Sequence, residues 1–152
     1  MLQIAYRSRS KLPPGDSTKR GLEEIVKAAR LRNERNNLTG FLLADREWFV
    51  QILEGEERAV RATLARIERD PRHTDLMLID QRELRARSFP EWSMSSTTRS
   101  AENEDIFRRH GIGGDFDPRA LVAPSIVALA MDLQDGERLR RLTPAASTGS
   151  RA

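Results

Sequence analysis

Residues 2–9 alternate strictly, with Leu2, Ile4, Tyr6 and Ser8 on one side and Gln3, Ala5, Arg7 and Arg9 on the other. A period of two is that of a strand. The segment KLPPGDST then supplies turn residues and ends in helix-capping types. A helix is predicted over 17–32, with Leu22, Ile25, Val26 and Ala29 on one stripe. The next two positions of that stripe are Arg32 and Asn33, where the apolar pattern stops. Residues 38–43 (LTGFLL) and 48–53 (WFVQIL) read as two strands joined tightly through Asp45, Arg46 and Glu47. In the second, Phe49, Gln51 and Leu53 share one face, and Trp48, Val50 and Ile52 the other. A second helix is predicted over 57–69, with Val60, Leu64 and Ile67 on its stripe, ended by Asp70-Pro71. Strands at 76–79 and 92–96 follow, the latter with Trp92 and Met94 on one face.

The order β-α-β-β-α-β-β implies an α+β fold of the ferredoxin-like kind, with a right-handed first crossover and both helices on one sheet face. The opposite face carries Trp48, Val50 and Ile52 and needs a cover. A helix at 101–110, capped by Ser100, and another at 118–134, with Val122, Ile126, Leu129 and Leu133 at helical spacing, are expected to supply it. Pro124 should kink the second or delay its start. The expected organisation is one α+β domain over 1–98, a helical extension over 99–136 and a basic, disordered tail over 137–152.

Three polar side chains interrupt this pattern on faces that ought to be buried: Tyr6, Asn33 and Gln51. Each costs about 1–3 kcal/mol if it is buried without a hydrogen-bond partner. Their convergence points to a polar ligand that supplies those partners. Tyr6 is also the single tyrosine of the chain.

Composition narrows the chemistry. The chain has 152 residues, no cysteine and two histidines, His73 and His110. Disulfide and thiolate chemistry are excluded, and two isolated histidines do not make a metal site. No apolar run approaches the roughly 20 residues of a membrane span, and the first residues read as a strand, so a cytoplasmic location is expected. The formal charge is +3, with signs interleaved as on solvated helix faces. That argues against nucleic acid as the partner.

The pattern LRNERNNLTGFLL, followed by FVQILEG, DPRHTD and FPEWSM, resembles the BLUF family of blue-light receptors, which bind FAD non-covalently. The resemblance covers about residues 2–96. It implies that Tyr6 is the photoactive tyrosine and Gln51 the glutamine between it and the flavin. Asn33 then meets the polar edge of the ring, and Arg32 occupies a neighbouring contact position. Arg72 and His73 fall near the ribityl-phosphate end, with Asp70 beside them. Trp92 and Met94 match a pair that senses the glutamine. The side-chain chemistry agrees. A carboxamide has one acceptor oxygen and two donor hydrogens, so Gln51 can bridge a phenol and a flavin atom, and a guanidinium suits phosphate. Glu47 stands where the family commonly has a turn glycine, and Trp48 falls by parity on the face away from the flavin.

The expected function is light sensing without enzymatic turnover. The signal would pass through the fifth strand and the C-terminal helices to a downstream protein, and the family resemblance implies a homo-oligomer. Two other readings of the same topology compete. An acylphosphatase-like enzyme lacks its anion-cradling glycine loop after the first strand. An RNA-binding sheet would need exposed aromatics on its central strands, whereas Tyr6 and Phe49 face the helices.

Overall fold

The structure is a computed structural model that describes residues 1–13, 16–91 and 93–142. Its elements run β1 (Leu2–Ser10), α1 (Asp16–Arg35), β2 (Thr39–Asp45), β3 (Trp48–Gly55), α2 (Glu57–Glu68), β4 (His73–Glu83), β5 (Ser95–Thr98), α3 (Glu104–Arg109), a 3-10 turn (Pro118–Ala120) and α4 (Ala123–Leu142). The five strands form one sheet in the order β4-β1-β3-β2-β5. β3 runs antiparallel to both β1 and β2, and β5 joins the far edge parallel to β2. This is the ferredoxin-like plan with a fifth strand added.

Local chemistry fixes each junction. α1 ends where Asn37 adopts φ 52 and the Leu38 amide donates to the Asn33 carbonyl at 2.8 Å. Asparagine tolerates this left-handed position better than most residues. The glycine of LTGFLL is required, because a Cβ on Gly40 would fall 2.1 Å from the Ile52 carbonyl oxygen across the ladder. In the two-residue β2–β3 turn the positive φ (49) falls on Arg46, so Glu47 needs no glycine-like conformation. Glu56 caps α2 by accepting from the Arg58 and Ala59 amides.

Strand parity sorts two cores onto opposite sheet faces. Leu2, Ile4, Leu42, Phe49 and Leu53 meet Leu22 and Val26 of α1 and Val60 of α2. Phe41, Leu43, Trp48, Val50 and Ile52 meet Ile106 and Phe107 of α3 and Ile126, Leu129 and Leu133 of α4. Trp48 is therefore on the α3/α4 face, under the guanidinium of Arg9 at 4.4 Å. With both faces covered, neither Tyr6 nor Phe49 is exposed. Among the described residues no helix is long and apolar enough to cross a membrane.

Several boundaries differ from the sequence reading. β4 spans His73–Glu83 rather than 76–79, because it is a half-exposed edge strand whose outer positions carry no apolar alternation. β5 begins at Ser95, later than expected. α3 starts at Glu104, and Ser100 does not cap it. Instead Asn103 takes the N-cap position and turns its side chain backwards, accepting from the Ser100 amide and donating to the Thr98 carbonyl, both at 2.9 Å. The expected 118–134 helix is split into the 3-10 turn and α4, with Pro124 in the first turn of α4, where its missing N–H costs least. Val122 precedes α4 and is exposed. α4 continues to Leu142, so residues 137–142 are helical rather than tail. The remainder of the expected tail lies outside the described residues.

Candidate functional site

A cleft opens between α1 and α2 above the sheet. Tyr6, Arg32, Asn33, Gln51, Asp70, Arg72 and His73 all line it, among walls built from Ile25, Ala29, Leu42, Phe49, Leu53 and Ile67. The fold thus brings together every side chain that the sequence singled out for the site, apart from two. Met94 lies beneath Gln51, in contact with it. Trp92 lies outside the described residues.

Tyr6 and Gln51 face each other across the β1–β3 ladder, and the Tyr6 hydroxyl donates to Gln51 Oε1. Both side chains are buried. Burial pushes the Tyr6 phenol well above the ordinary tyrosine value, and the Asp70 carboxylate adds to the shift. On its other side, Gln51 Nε2 donates to Met94 Sδ at 3.6 Å. A thioether is a weak acceptor, so one amide hydrogen of Gln51 is weakly held and the other is left for the cleft. Asn33, in the last turn of α1, donates through Nδ2 to the Ser93 carbonyl at 2.6 Å. Among the described residues no hydrogen bond reaches its Oδ1, although Asn33 is buried. Among the described residues the cleft therefore offers an unpaired acceptor on Asn33 and an amide hydrogen on Gln51, between apolar walls. That donor set fits the imide edge of a flavin ring, which presents carbonyl acceptors and an N–H.

The far end is charged. Asp70 binds the Arg72 amide at 2.9 Å and the Arg72 guanidinium through both oxygens, and these bonds hold the Asp70 carboxyl below the usual carboxylate range. His73 is committed within the protein. Its Nε2 donates to the Ile67 carbonyl, which can only accept, and Nδ1 pairs with Ser8 Oγ at 2.8 Å. The ring stands 6.4 Å from that of Tyr6 and 6.5 Å from that of Phe49. His73 thus forms a wall of the cleft and ties β4 to β1 and α2, with no ring nitrogen left for a ligand.

Two further residues, one in the cleft and one behind the sheet, were not singled out from the sequence. Arg66, in the last turn of α2, lines the cleft with Arg32. Burial and the Arg32 charge both lower its pKa, so two cations flank the same opening. Nothing in the sequence distinguishes Arg66 from the other arginines of a charged helix. Glu54 supports the site from the opposite sheet face. Its fully buried carboxylate accepts from Gln3 Nε2 (3.1 Å), Thr39 Oγ1 (3.0 Å), and the Ser88 (3.0 Å) and Phe89 (2.6 Å) amides. The parity of Val50, Ile52 and Glu54 could have revealed it.

A larger hollow beyond the hairpin tip is lined by Asp45, Arg46, Arg99 and Glu104. These four charges pair with one another or with neighbours. Arg99 bonds Glu104 at 2.7 Å and approaches Asp45 at 3.5 Å, and Arg46 bonds Asp115 at 2.6 Å.

Comparison with known proteins agrees with this geometry. Residues 1–95 match the family described as BLUF, sensors of blue-light using FAD. The beta subunit of a photoactivated adenylate cyclase from Euglena gracilis is 41% identical over 78 residues, covering 51% of this chain and 9% of that protein. The chain thus spans a small part of that relative's length. Among solved structures, the photo-activated state of BlsA matches with a TM-score of 0.75 and 26% identity, covering 87% of this chain and 93% of the other. The dark state of BlrB, a BLUF protein, matches with a TM-score of 0.62 and 29% identity over 92% of each chain. The chain belongs to the BLUF family, sensors of blue light that use FAD.

Proposed function

We propose that the cleft between α1 and α2 seats the isoalloxazine ring of FAD, with Asn33 and Gln51 on its polar edge and Tyr6 behind Gln51 as the photoactive phenol. The observation that carries this reading is the Tyr6 hydroxyl bond to Gln51 Oε1, made by a buried amide whose other end is only weakly held by Met94. When bound, the photoexcited flavin supplies an oxidant able to draw an electron from a phenol. The protein's own groups do the rest.

Tyr6 holds its proton firmly in the dark, because its buried site disfavours the phenolate. Loss of an electron makes that proton strongly acidic, and Gln51 Oε1 is the acceptor already in place. Nε2 of the same amide would pass a hydrogen to the polar edge of the ring held in the cleft, so Gln51 relays rather than stores the proton. When Tyr6 regains its electron and its proton, the amide is left rearranged, by rotation or tautomer exchange. Rotation would turn Oε1 toward Met94 Sδ, replacing a donor–acceptor contact with two acceptors. Met94 then has reason to withdraw, and β5 begins at the next residue.

Arg32 and Arg66 are placed to meet the phosphates of the cofactor, while Arg72, Asp70 and His73 shape the wall beside them. From β5 the signal reaches the far helices through Thr97 Oγ1, 3.3 Å from Glu137 Oε1 on α4, and through Arg99, bonded to Glu104 of α3. In this reading the chain is a sensor without turnover of its own. It acts as a homo-oligomer and hands its state to a downstream protein.

Absorption spectra of the FAD-reconstituted protein before and after blue light test the proposal. The expected result is a yellow protein whose flavin band moves to longer wavelength in light and returns in the dark. Tyr6→Phe should stay yellow and lose the shift. A normal shift in Tyr6→Phe would remove Tyr6 from the mechanism.

A further inference from the structure

Arg30 lies one turn before Asn33 on α1, on the same helix face. Its Nε donates to the Met94 carbonyl at 2.8 Å, and Asn33 Nδ2 donates to the Ser93 carbonyl at 2.6 Å. Two consecutive carbonyls in the irregular stretch before β5 are thus held by one helix, across separations of 60 and 64 positions in sequence. Backbone acceptors outside the ladder need partners, and here both come from side chains of α1, of which Asn33 lines the cleft. The held residue is also the one whose sulfur touches Gln51, and its side chain is fully buried.

We infer that Arg30 is a positioning residue of the light response, clamping the Met94 backbone so that its side chain reads the Gln51 amide. The inference rests on the flavin reading above and extends it. With its carbonyl pinned by Arg30, Met94 cannot drift from Gln51 in the dark, and the contact reports one amide orientation. When the amide presents Oε1 instead, Met94 can withdraw only by straining or breaking the Arg30 bond. The clamp therefore weights the balance toward the dark state. Asn33 belongs to the same clamp and also lines the cleft, so α1 holds the approach to β5 at two adjacent points, one of them beside the ring. The Arg30 guanidinium is otherwise solvent-exposed, so its replacement should leave the core intact.

The test compares the FAD-loaded wild-type chain with Arg30→Met, Arg30→Lys and Lys27→Met. Lys27→Met removes an exposed charge from the same helix without touching the clamp. Dark recovery of the flavin band and backbone amide exchange of residues 93–98 are measured on each. In Arg30→Met the light-induced shift should persist, recovery should slow about three- to tenfold as expected for one lost part-exposed hydrogen bond, and dark exchange at 93–98 should rise toward the wild-type lit level. Arg30→Lys should restore at least half of each effect, and Lys27→Met should match wild type. Wild-type recovery and exchange in Arg30→Met would overturn the inference, as would an equal effect from Lys27→Met. Absence of any light shift in the wild type would instead overturn the flavin reading. Dark exchange at 93–98 would then still decide whether Arg30 clamps the strand.

Discussion

Tyr6 and Gln51 occupy directly opposed positions on β1 and β3, and the phenol hydroxyl donates to the amide oxygen across the ladder. The pair is set by register. Val50 and Ile52, on either side of Gln51, belong to the α3/α4 core, so a slip of one residue would turn the amide away from the cleft and bury it among apolar groups.

The pairing makes Gln51 as necessary as Tyr6. Gln51→Leu fills a similar volume without any hydrogen-bonding group. It should retain flavin, because apolar walls supply most of the cleft, and lose the light-induced shift. Gln51→Glu keeps an acceptor toward Tyr6 and gives up the amide's N–H donors, so it should also lose the reversible shift. Difference spectra with and without blue light check both.

Alkaline pH should expose the buried phenol. The Tyr6 pKa is raised in the folded chain, above an unfolded value of about 10. Below that value both states hold the proton, and the contribution of Tyr6 to stability is fully present. As pH rises through it, the unfolded chain releases a proton that the folded chain keeps. Stability then falls by up to about 1.4 kcal/mol per pH unit. Denaturant melts of wild type and Tyr6→Phe between pH 8 and about 11 should diverge with that sign, the variant having the shallower decline. Because Tyr6 is the only tyrosine, the difference isolates one group.

Glu54 should matter for stability far more than its distance from the cleft suggests. Glu54→Ala would leave the Ser88 and Phe89 amides, Gln3 and Thr39 without their shared acceptor. With several buried donors orphaned, the expected loss is about 3 kcal/mol or more, read from urea unfolding. The loop that these bonds pin leads into the stretch before β5, so the variant's dark recovery should also change.

Arg32 and Arg66 should separate phosphate recognition from ring recognition. Replacing either by Gln is expected to weaken FAD binding about tenfold (about 1.4 kcal/mol) and to leave riboflavin binding unchanged. The FAD affinity of the wild type should fall with added salt more steeply than that of either variant. Equal losses for FAD and riboflavin would show that the arginines act on the ring or the fold.

Much of the site was written in one dimension. Alternation alone places Gln51 and Trp48 on opposite sheet faces, and the apolar stripe of α1 fails where Asn33 enters the cleft. Periodicity encodes these facts because a strand or helix repeats its geometry, so the side a residue faces follows from its position. What a side chain bonds to is not periodic. That His73 spends both nitrogens on Ser8 and Ile67, that Arg66 shares the cleft mouth with Arg32, and that Arg30 holds the Met94 carbonyl depend on distant segments meeting. Their partners are often backbone carbonyls, which every residue carries and no sequence marks. The late start of β5 and the length of β4 have the same origin: one strand lies at a sheet edge, the other follows an irregular loop, and their limits are set by the neighbours they pair with. The sequence by itself determined the faces. Only the tertiary structure decided the partners, because hydrogen bonds between remote segments exist only once the chain has closed.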